Sequence, residues 1–204
     1  MAVLTRKEQR ARTREALLDA TIACLVEYGY AGTTTQRIQE KVGVSRGALL
    51  HHFGSKAELF VAAIHHISDK RLLTFPKVGK RAPVGAETLR RLIYEIADDM
   101  TGPPFQAAMQ LWIAARTDEE LREALLPAER RLGSAMREIF DKYSGIEDPH
   151  AARVAFESLM AMLRGLEVTR AMRKDEKLAR EVVDHWVATA LPPVGEAVPG
   201  DVRS

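Results

Sequence analysis

The segment from Thr33 to Lys56, TTTQRIQEKVGVSRGALLHHFGSK, constrains the fold more than any other part of the chain. It reads as two short helical runs around a tight turn. Thr33 and Thr34 place capping hydroxyls ahead of the first run. Ile38 and Val42 stand four apart, which puts them on one helix face. Gly43 follows, a residue free to take the left-handed geometry at a helix end. Val44 turns an apolar side chain inward, and Ser45 is a natural N-cap for a second run from Arg46 to about His52. Leu49 and Phe53, again four apart, form the buried side of that run. Arg46, Gly47, Leu50, His51 and His52 are left facing outward. Two helices joined this way, with the outer face of the second left bare, form an arrangement that offers a helix to the major groove of DNA.

On these residues the chain resembles the DNA-binding domain of the TetR family of bacterial transcriptional repressors. The matching features are Gly29-Tyr30, the threonines, the Gly43-Val44-Ser45 turn, Gly47, the His51-His52-Phe53 run, and Ser55-Lys56 with Leu59 beyond. The resemblance covers roughly residues 10–60; after that only length and helical character match. Two positions depart from the pattern. Gln39 stands where many relatives carry alanine. Leu50 stands where many carry a tyrosine that touches a phosphate or a base. Leu50 has no hydrogen to donate, so its contact should be apolar, for instance with a thymine methyl.

The resemblance implies an all-α fold of about nine helices. An N-terminal three-helix DNA-binding module with a helix-turn-helix would be followed by a C-terminal helical bundle for ligand binding and dimerisation. The expected divisions are residues 1–74 for the DNA-binding module with its linker helix (helix-turn-helix 34–53), 75–191 for the effector and dimerisation domain, and 192–204 for a disordered tail.

The charge distribution agrees. The chain carries a net charge of only +2, but residues 1–56 hold nine Lys/Arg against five acids. A local excess of +4 leaves −2 for the remainder, a basic head on a slightly acidic body. The one cysteine, Cys24, lies on the apolar side of the first helix and reads as a buried small residue rather than a redox sensor. A single cysteine forms no intrachain disulfide, which suits a reducing cytosol. The first ten residues, MAVLTRKEQR, lack a stretch of signal-peptide length. No run approaches the ~20 apolar residues of a membrane span. The expected location is the cytoplasm, with no membrane association.

Periodicity places the other elements. After a disordered arm of about six residues, Leu17, Leu18, Ala20, Ile22, Leu25 and Val26 mark a long helix ending near Tyr28. Its basic start (Arg10, Arg12, Arg14) is either a solvated helix end or a contact to phosphates or the adjacent minor groove. Ser55 caps a fourth helix reaching about Leu73. The segment Thr74 to Ala86, with Pro76, Gly79, Pro83 and Gly85, reads as a boundary loop. Helices are then expected at about 85–99, 104–116, 118–143, 149–173 and 176–191, with Pro127 kinking or splitting the third of these.

The DNA-facing set expected is Thr33, Thr34, Gln36, Arg37, Ser45, Arg46, Gly47, Leu50, His51, His52 and Lys56. Amides at the start of the first short helix, with the Thr33 and Thr34 hydroxyls, make an anion site for one phosphate. Lys56 would hold another. Arg46 and Gln36 suit base reading, since arginine pairs bidentately with guanine and glutamine with adenine. Gly47 would allow close approach. His51 and His52 are adjacent and diverge by about 100° on a helix, so they suit phosphate contact better than a shared metal.

The remaining expectations follow from the resemblance. A mostly apolar small-molecule effector would sit among Phe105, Met109, Trp112, Met160 and Leu163, with Gln106, Gln110, Arg116, Arg164 and Glu167 as polar groups. In the last two helices Ala155, Leu159, Met162, Leu166, Leu178, Val182, Trp186 and Ala190 would form a two-fold four-helix dimer interface. Such a dimer would bind double-stranded DNA at a pseudo-palindromic operator. No cofactor or metal is expected. The rival class is an enzyme, or a helical small-molecule binder that leaves DNA alone. Against an enzyme, the chain has no HExxH, CxxC or GxGxxG pattern.

Overall fold

The structure is a computed structural model that describes residues 5–79 and 86–192. Among the described residues all regular structure is helical: α1 (Arg6–Gly32), α2 (Thr35–Val42), α3 (Arg46–His52), α4 (Lys56–Gly79), α5 (Ala86–Asp99), α6 (Pro103–Ala114), α7 (Glu119–Ser144), α8 (Pro149–Arg170) and α9 (Glu176–Ala190). Of the arm expected over residues 1 to about 6 and the tail expected over 192–204, residues 1–4 and 193–204 lie outside the described residues, while Thr5 already caps α1.

Local chemistry explains most of the helix ends. At the start of α1 the Thr5 hydroxyl accepts from the Glu8 amide, and the Thr5 amide donates to the Glu8 carboxylate at 2.7 Å. This reciprocal cap pins the first turn, and it holds the Glu8 carboxyl below its ordinary range. Thr34, Ser45 and Ser55 cap α2, α3 and α4 through bonds from Arg37, Ala48 and Glu58 amides at 3.2, 3.2 and 3.0 Å. Gly43 sits at φ 75° and ψ 35° and closes α2 by donating to the Gln39 carbonyl. Here only glycine avoids strain.

The chain packs as two compact units, each discontinuous in sequence. The first comprises residues 1–73 and 101–133, the second 74–100 and 134–204. One core runs through the first unit. Leu17, Leu18 and Leu25 of α1, Ile38 of α2, Leu49 of α3 and Leu59, Phe60 and Ile64 of α4 meet Ala107 and Leu111 of α6 and Leu125 of α7. Each such fully buried aliphatic or aromatic side chain contributes about 1.5–3 kcal/mol. Thr21 is buried without cost because its hydroxyl donates to the Leu17 carbonyl at 2.7 Å. Cys24 is buried in the same core, and burial pushes its thiol up, as expected of a structural cysteine. In the second unit Tyr94 of α5 donates to Asp184 of α9 at 2.6 Å, and the Phe140 and Phe156 rings of α7 and α8 lie 5.6 Å apart.

Three expectations about the elements need correction. The loop expected over Thr74 to Ala86 is helix as far as Gly79, because α4 continues through Pro76, and residues 80–85 of it lie outside the described residues. A proline removes one amide donor and crowds one carbonyl. That loss does not end a helix whose earlier turns are anchored by Leu59, Phe60, Ala63, Ile64 and Ile67. Of the kink or split expected at Pro127, the split does not occur, since α7 runs from Glu119 to Ser144 as one helix. Pro127 is on the exposed side, and Glu123, whose carbonyl loses its partner, is exposed as well, so the lost bond falls on the solvent face, where it costs least. Finally, α1 does not stop at Tyr28. The backbone breaks helical geometry at Gly29 (φ 66°, ψ −178°) and then makes a last turn to Gly32.

Candidate functional site

The outer face of α3 is formed by Arg46, Gly47, Leu50 and His51, all exposed, with Leu50 at 47%. Leu49 on the inner side is fully buried and Phe53 at the helix end is 1% exposed. The helix is therefore held from beneath and bare above. A Cβ on Gly47 would meet only the Ser45 hydroxyl, at 3.9 Å. Nothing on the protein side requires glycine there, and the position leaves a shallow spot between Arg46 and Leu50.

Around this face the expected residues divide by whether they are already engaged. The Thr34 hydroxyl accepts the Arg37 amide and keeps its own proton to donate, beside the free amides that open α2. Ser45 is exposed at the head of α3, its oxygen accepting the Ala48 amide. Gln36 donates to Glu40 at 2.9 Å on the exposed side of α2. Arg37 donates to the Gly32 carbonyl, and its guanidinium lies 4.2 Å from the Tyr28 ring centroid. Lys56 is half-buried, with its ammonium over the Tyr30 and Phe60 rings at 5.4 and 5.1 Å. Burial pushes its pKa down.

Thr33 departs from its expected role. It is fully buried, it ends α1, and its hydroxyl donates to the Gly29 carbonyl at 2.7 Å. This threonine closes the helix that precedes the motif and has no hydroxyl to offer a phosphate. The anion site falls to Thr34 and the α2 amides. The Gly29 carbonyl accepts the Thr33 amide as well, at 3.1 Å, so the residue is held by α1 through both its amide and its hydroxyl.

The basic start of α1 reaches the far end of α3. Arg14 sits over the Phe53 ring at 5.1 Å. His52 is half-buried beside it, and its pKa is lowered by burial, then by the nearby charges of Arg10, His51 and Arg14. Arg10 and Arg14 of α1 thus lie along the same edge as His51 and His52 of α3, with the two arginines supplying its positive charge.

The effector candidates do not form a single cluster. Phe105, Gln106, Met109, Gln110, Trp112 and Arg116 belong to the first unit, and Met160, Leu163, Arg164 and Glu167 to the second. Phe105 is buried edge-on against Trp112 at 5.5 Å, with the Arg71 guanidinium 5.3 Å away. Gln106 donates to the Thr101 carbonyl at the head of α6. Met109 and Gln110 are half-buried. In the second unit Met160 and Leu163 are core residues, Arg164 is exposed, and Glu167 is buried and bonded to Arg170 at 2.9 Å. Met160 also borders a wholly apolar cavity among Ile93, Met136, Phe140 and Phe156, of about 20 Å³. That is room for a single water, not a ligand. A larger cleft, about 200 Å³, opens between α6 and α7 in the first unit. It is bordered by Trp112, Ala115, Leu125 and Leu126, with Arg116, Arg122 and Glu129 beside them.

On α8 and α9 the expected dimer residues are mostly half-buried: Ala155, Met162, Leu166, Val182, Trp186 and Ala190. Leu178 is 42% exposed. Leu159 is an exception at 1% exposed, spent inside its own chain beside the apolar cavity. The exposed stripe of α8 is instead Val154, Ser158, Ala161, Gly165 and Val168, spaced four and three apart. Val154 and Val168 are each 54% exposed. The Ser158 hydroxyl accepts the Trp186 indole N–H at 3.1 Å, joining α8 to α9.

Glu15, Asp19 and His66 bring three possible metal-ligand atoms within 4.8 Å of one another. The Lys70 ammonium, 3.1 Å from Asp19 and 3.9 Å from Glu15, already supplies a cation there. Among the described residues no helix is long and apolar enough to cross a membrane.

Comparison with known proteins agrees with this geometry. Residues 17–63 match the model of bacterial regulatory proteins of the tetR family. The chain is 31% identical over 143 residues to the HTH-type transcriptional repressor AcnR of Corynebacterium diphtheriae, covering 68% of each. It is 32% identical over 121 residues to an uncharacterized HTH-type transcriptional regulator of Mycobacterium tuberculosis, a match spanning 59% of this chain and 62% of that one. It spans less than two thirds of that regulator's length. Among solved structures, FadR of Bacillus subtilis in complex with stearoyl-CoA shares the fold, with a TM-score of 0.72 at 14% identity over 89% of this chain and 99% of that one.

Proposed function

Because the chain belongs to the TetR family of bacterial regulatory proteins, we propose that it is a cytoplasmic, ligand-responsive transcriptional repressor. It binds a pseudo-palindromic operator as a homodimer and leaves it when a small molecule binds. The observation that carries this reading is the state of α3. Arg46, Gly47, Leu50 and His51 are exposed together on a helix anchored by Leu49 and Phe53. A polar, bare helix face above a rigid buried one is what base reading requires.

Affinity comes from phosphates and choice from base edges. Thr34 with the α2 amides receives one phosphate, and the Arg10–Arg14–His52 edge receives backbone at the far end of α3. Arg46 reads a guanine and Leu50 packs against a thymine methyl. Gln36 and Arg37 reach DNA only by exchanging their present partners, Glu40 and the Gly32 carbonyl, so their contribution is smaller. Lys56 turns its ammonium from the aromatic rings to a phosphate.

Dimerisation through α8 and α9 presents two recognition helices about 34 Å apart, one turn of the duplex. The exposed Val154–Val168 stripe, with the small residues Ala161 and Gly165 at its centre, supports close helix approach. Release follows from linkage: a ligand that prefers the DNA-free form weakens DNA by the factor by which DNA weakens the ligand. A relative named a repressor and a structural neighbour holding stearoyl-CoA support both halves of the reading.

Selection of bound duplexes from a random pool tests it. A two-fold symmetric consensus with half-sites one turn apart is the expected result. An asymmetric single half-site, or no enrichment at low salt, defeats it. A helical binder or enzyme without DNA function would show no steep fall of affinity with salt, whereas several phosphate contacts demand one.

A further inference from the structure

The cleft between α6 and α7 has the features of a ligand site, and the other described cavity does not. At about 200 Å³ it falls slightly below the ~300–1,000 Å³ of pockets for drug-sized ligands, so its occupant is small. The floor is apolar and includes the half-buried Trp112 with Leu125 and Leu126.

The charges beside it are unevenly spent. Arg122 is engaged by Glu119, at 2.9 Å through its Nε. The Glu129 carboxylate accepts the Trp112 indole N–H at 2.8 Å. Arg116 is exposed, and among the described residues its guanidinium has no hydrogen-bond or ion-pair partner. An apolar floor with one uncommitted guanidinium at its border complements a single carboxylate on an apolar body.

The cleft also lies close to the motif, within the same compact unit. Asp118 caps α7 by accepting the Leu121 amide at 3.0 Å, and its other oxygen lies 3.5 Å from the Tyr30 hydroxyl. Tyr30 is in the last turn of α1, just before the α2 cap at Thr34. Arg122 follows Asp118 by one turn. A ligand carboxylate held by Arg116 pulls on the α6–α7 turn, whose Asp118 lies against the end of α1.

We propose that this cleft is the effector site and that the effector is a small aryl or alkyl monocarboxylate, its carboxylate held by Arg116 and its body on Trp112, Leu125 and Leu126. The assignment rests on the ligand-responsive regulator reading given above.

The test uses the full-length protein with benzoate, phenylacetate and hexanoate at millimolar concentration, and benzamide as the uncharged control. The chain has two tryptophans, Trp112 and Trp186, so the indole N–H region of a nitrogen-correlated NMR spectrum holds two peaks, assigned with W112F. At least one carboxylate should move the Trp112 peak and leave Trp186 still, while benzamide moves neither. The same compound should release the selected DNA duplex. Arg116→Ala should weaken both effects about tenfold or more, the loss expected for a charge-assisted bond. Arg116→Lys should recover part of them.

If the protein binds DNA but no carboxylate of the panel moves the Trp112 peak, or Arg116→Ala responds like the wild type, the effector assignment is overturned and the regulator reading stands. A moving peak without DNA release overturns it too. A protein that binds no DNA at all overturns the regulator reading, and the effector assignment falls with it.

Discussion

The Tyr30 hydroxyl lies 3.5 Å from an Asp118 carboxylate oxygen, across 88 residues of sequence. It ties the last turn of α1 to the first turn of α7. The two ends of the tie differ in weight. Asp118 also caps α7 through the Leu121 amide, whereas the tyrosine bond is at the edge of hydrogen-bond range. Asp118→Ala should therefore cost about 1 kcal/mol, the loss of a cap. Tyr30→Phe should cost less than about 0.5 kcal/mol. Urea unfolding of both variants decides the order, and equal costs would show the cap to be unimportant.

Gly29 and Gly43 both have positive φ, but their surroundings differ. Gly43 is in the ordinary left-handed region with open space around it. Gly43→Ala should cost about 1 kcal/mol of backbone strain. Gly29 pairs φ 66° with ψ −178°, a combination essentially confined to glycine, and a Cβ there would stand 3.3 Å from the Gln110 side-chain oxygen. Gly29→Ala should cost more, about 1–3 kcal/mol. Thermal unfolding should rank Gly29→Ala as the less stable variant.

Arg46 and Lys56 should fail in different ways. Arg46→Ala should lose about 1–3 kcal/mol of discrimination at one base pair, with weaker effects on unrelated sequences. Lys56→Ala should weaken all sequences about equally and reduce the salt slope by about one. Binding titrations at several salt concentrations, on the selected site and a scrambled one, separate the two. Identical selectivity for wild type and Arg46→Ala would remove Arg46 from the base-reading role.

His52 gives the fold a dependence on pH. Its pKa in the folded chain is pushed below the ordinary 6.5 by burial and by Arg10, His51 and Arg14. The unfolded chain therefore takes up a proton first as pH falls. The His52 contribution to stability is intact above pH 6.5 and is lost as pH drops through the folded value. His52→Gln should flatten this part of the stability–pH curve, measured by denaturant unfolding between neutral and mildly acid pH. An unchanged curve would show that the shift is not felt.

The exposed stripe of α8 makes a prediction about assembly. Val168→Glu places a charge on a residue 54% exposed in the single chain, so it should leave the protomer folded. In a dimer closed through α8 that charge would be buried against its own copy, so the variant should be monomeric by light scattering. Its affinity for a palindromic duplex should fall to that of a half-site. A dimeric Val168→Glu protein would place the interface elsewhere.

Much of the motif was legible because its signals are local. Thr34, Gly43 and Ser45 act within three or four residues through backbone bonds, and Ile38, Leu49 and Phe53 share a face by helical period. Effector residues were less so. Met109, Met160 and Leu163 have the period of any helix, and periodicity identifies an inward face without identifying what that face meets. Leu159 and Val168 illustrate the same limit on α8. Both are apolar, and only the packing of α5, α7 and α9 decides which is spent inside.

The amino-acid order by itself determined the all-helical character, the turn between α2 and α3, the outward set on α3 and the burial of Cys24, because capping, glycine geometry and period act over a few residues. Tertiary structure alone decided that Lys56 rests on the Tyr30 ring, that α4 runs past Pro76, and that α6 and the start of α7 share a core with α1 to α4. Each of these depends on groups far apart in sequence, whose meeting is set by the total area they bury together and not by any one neighbour.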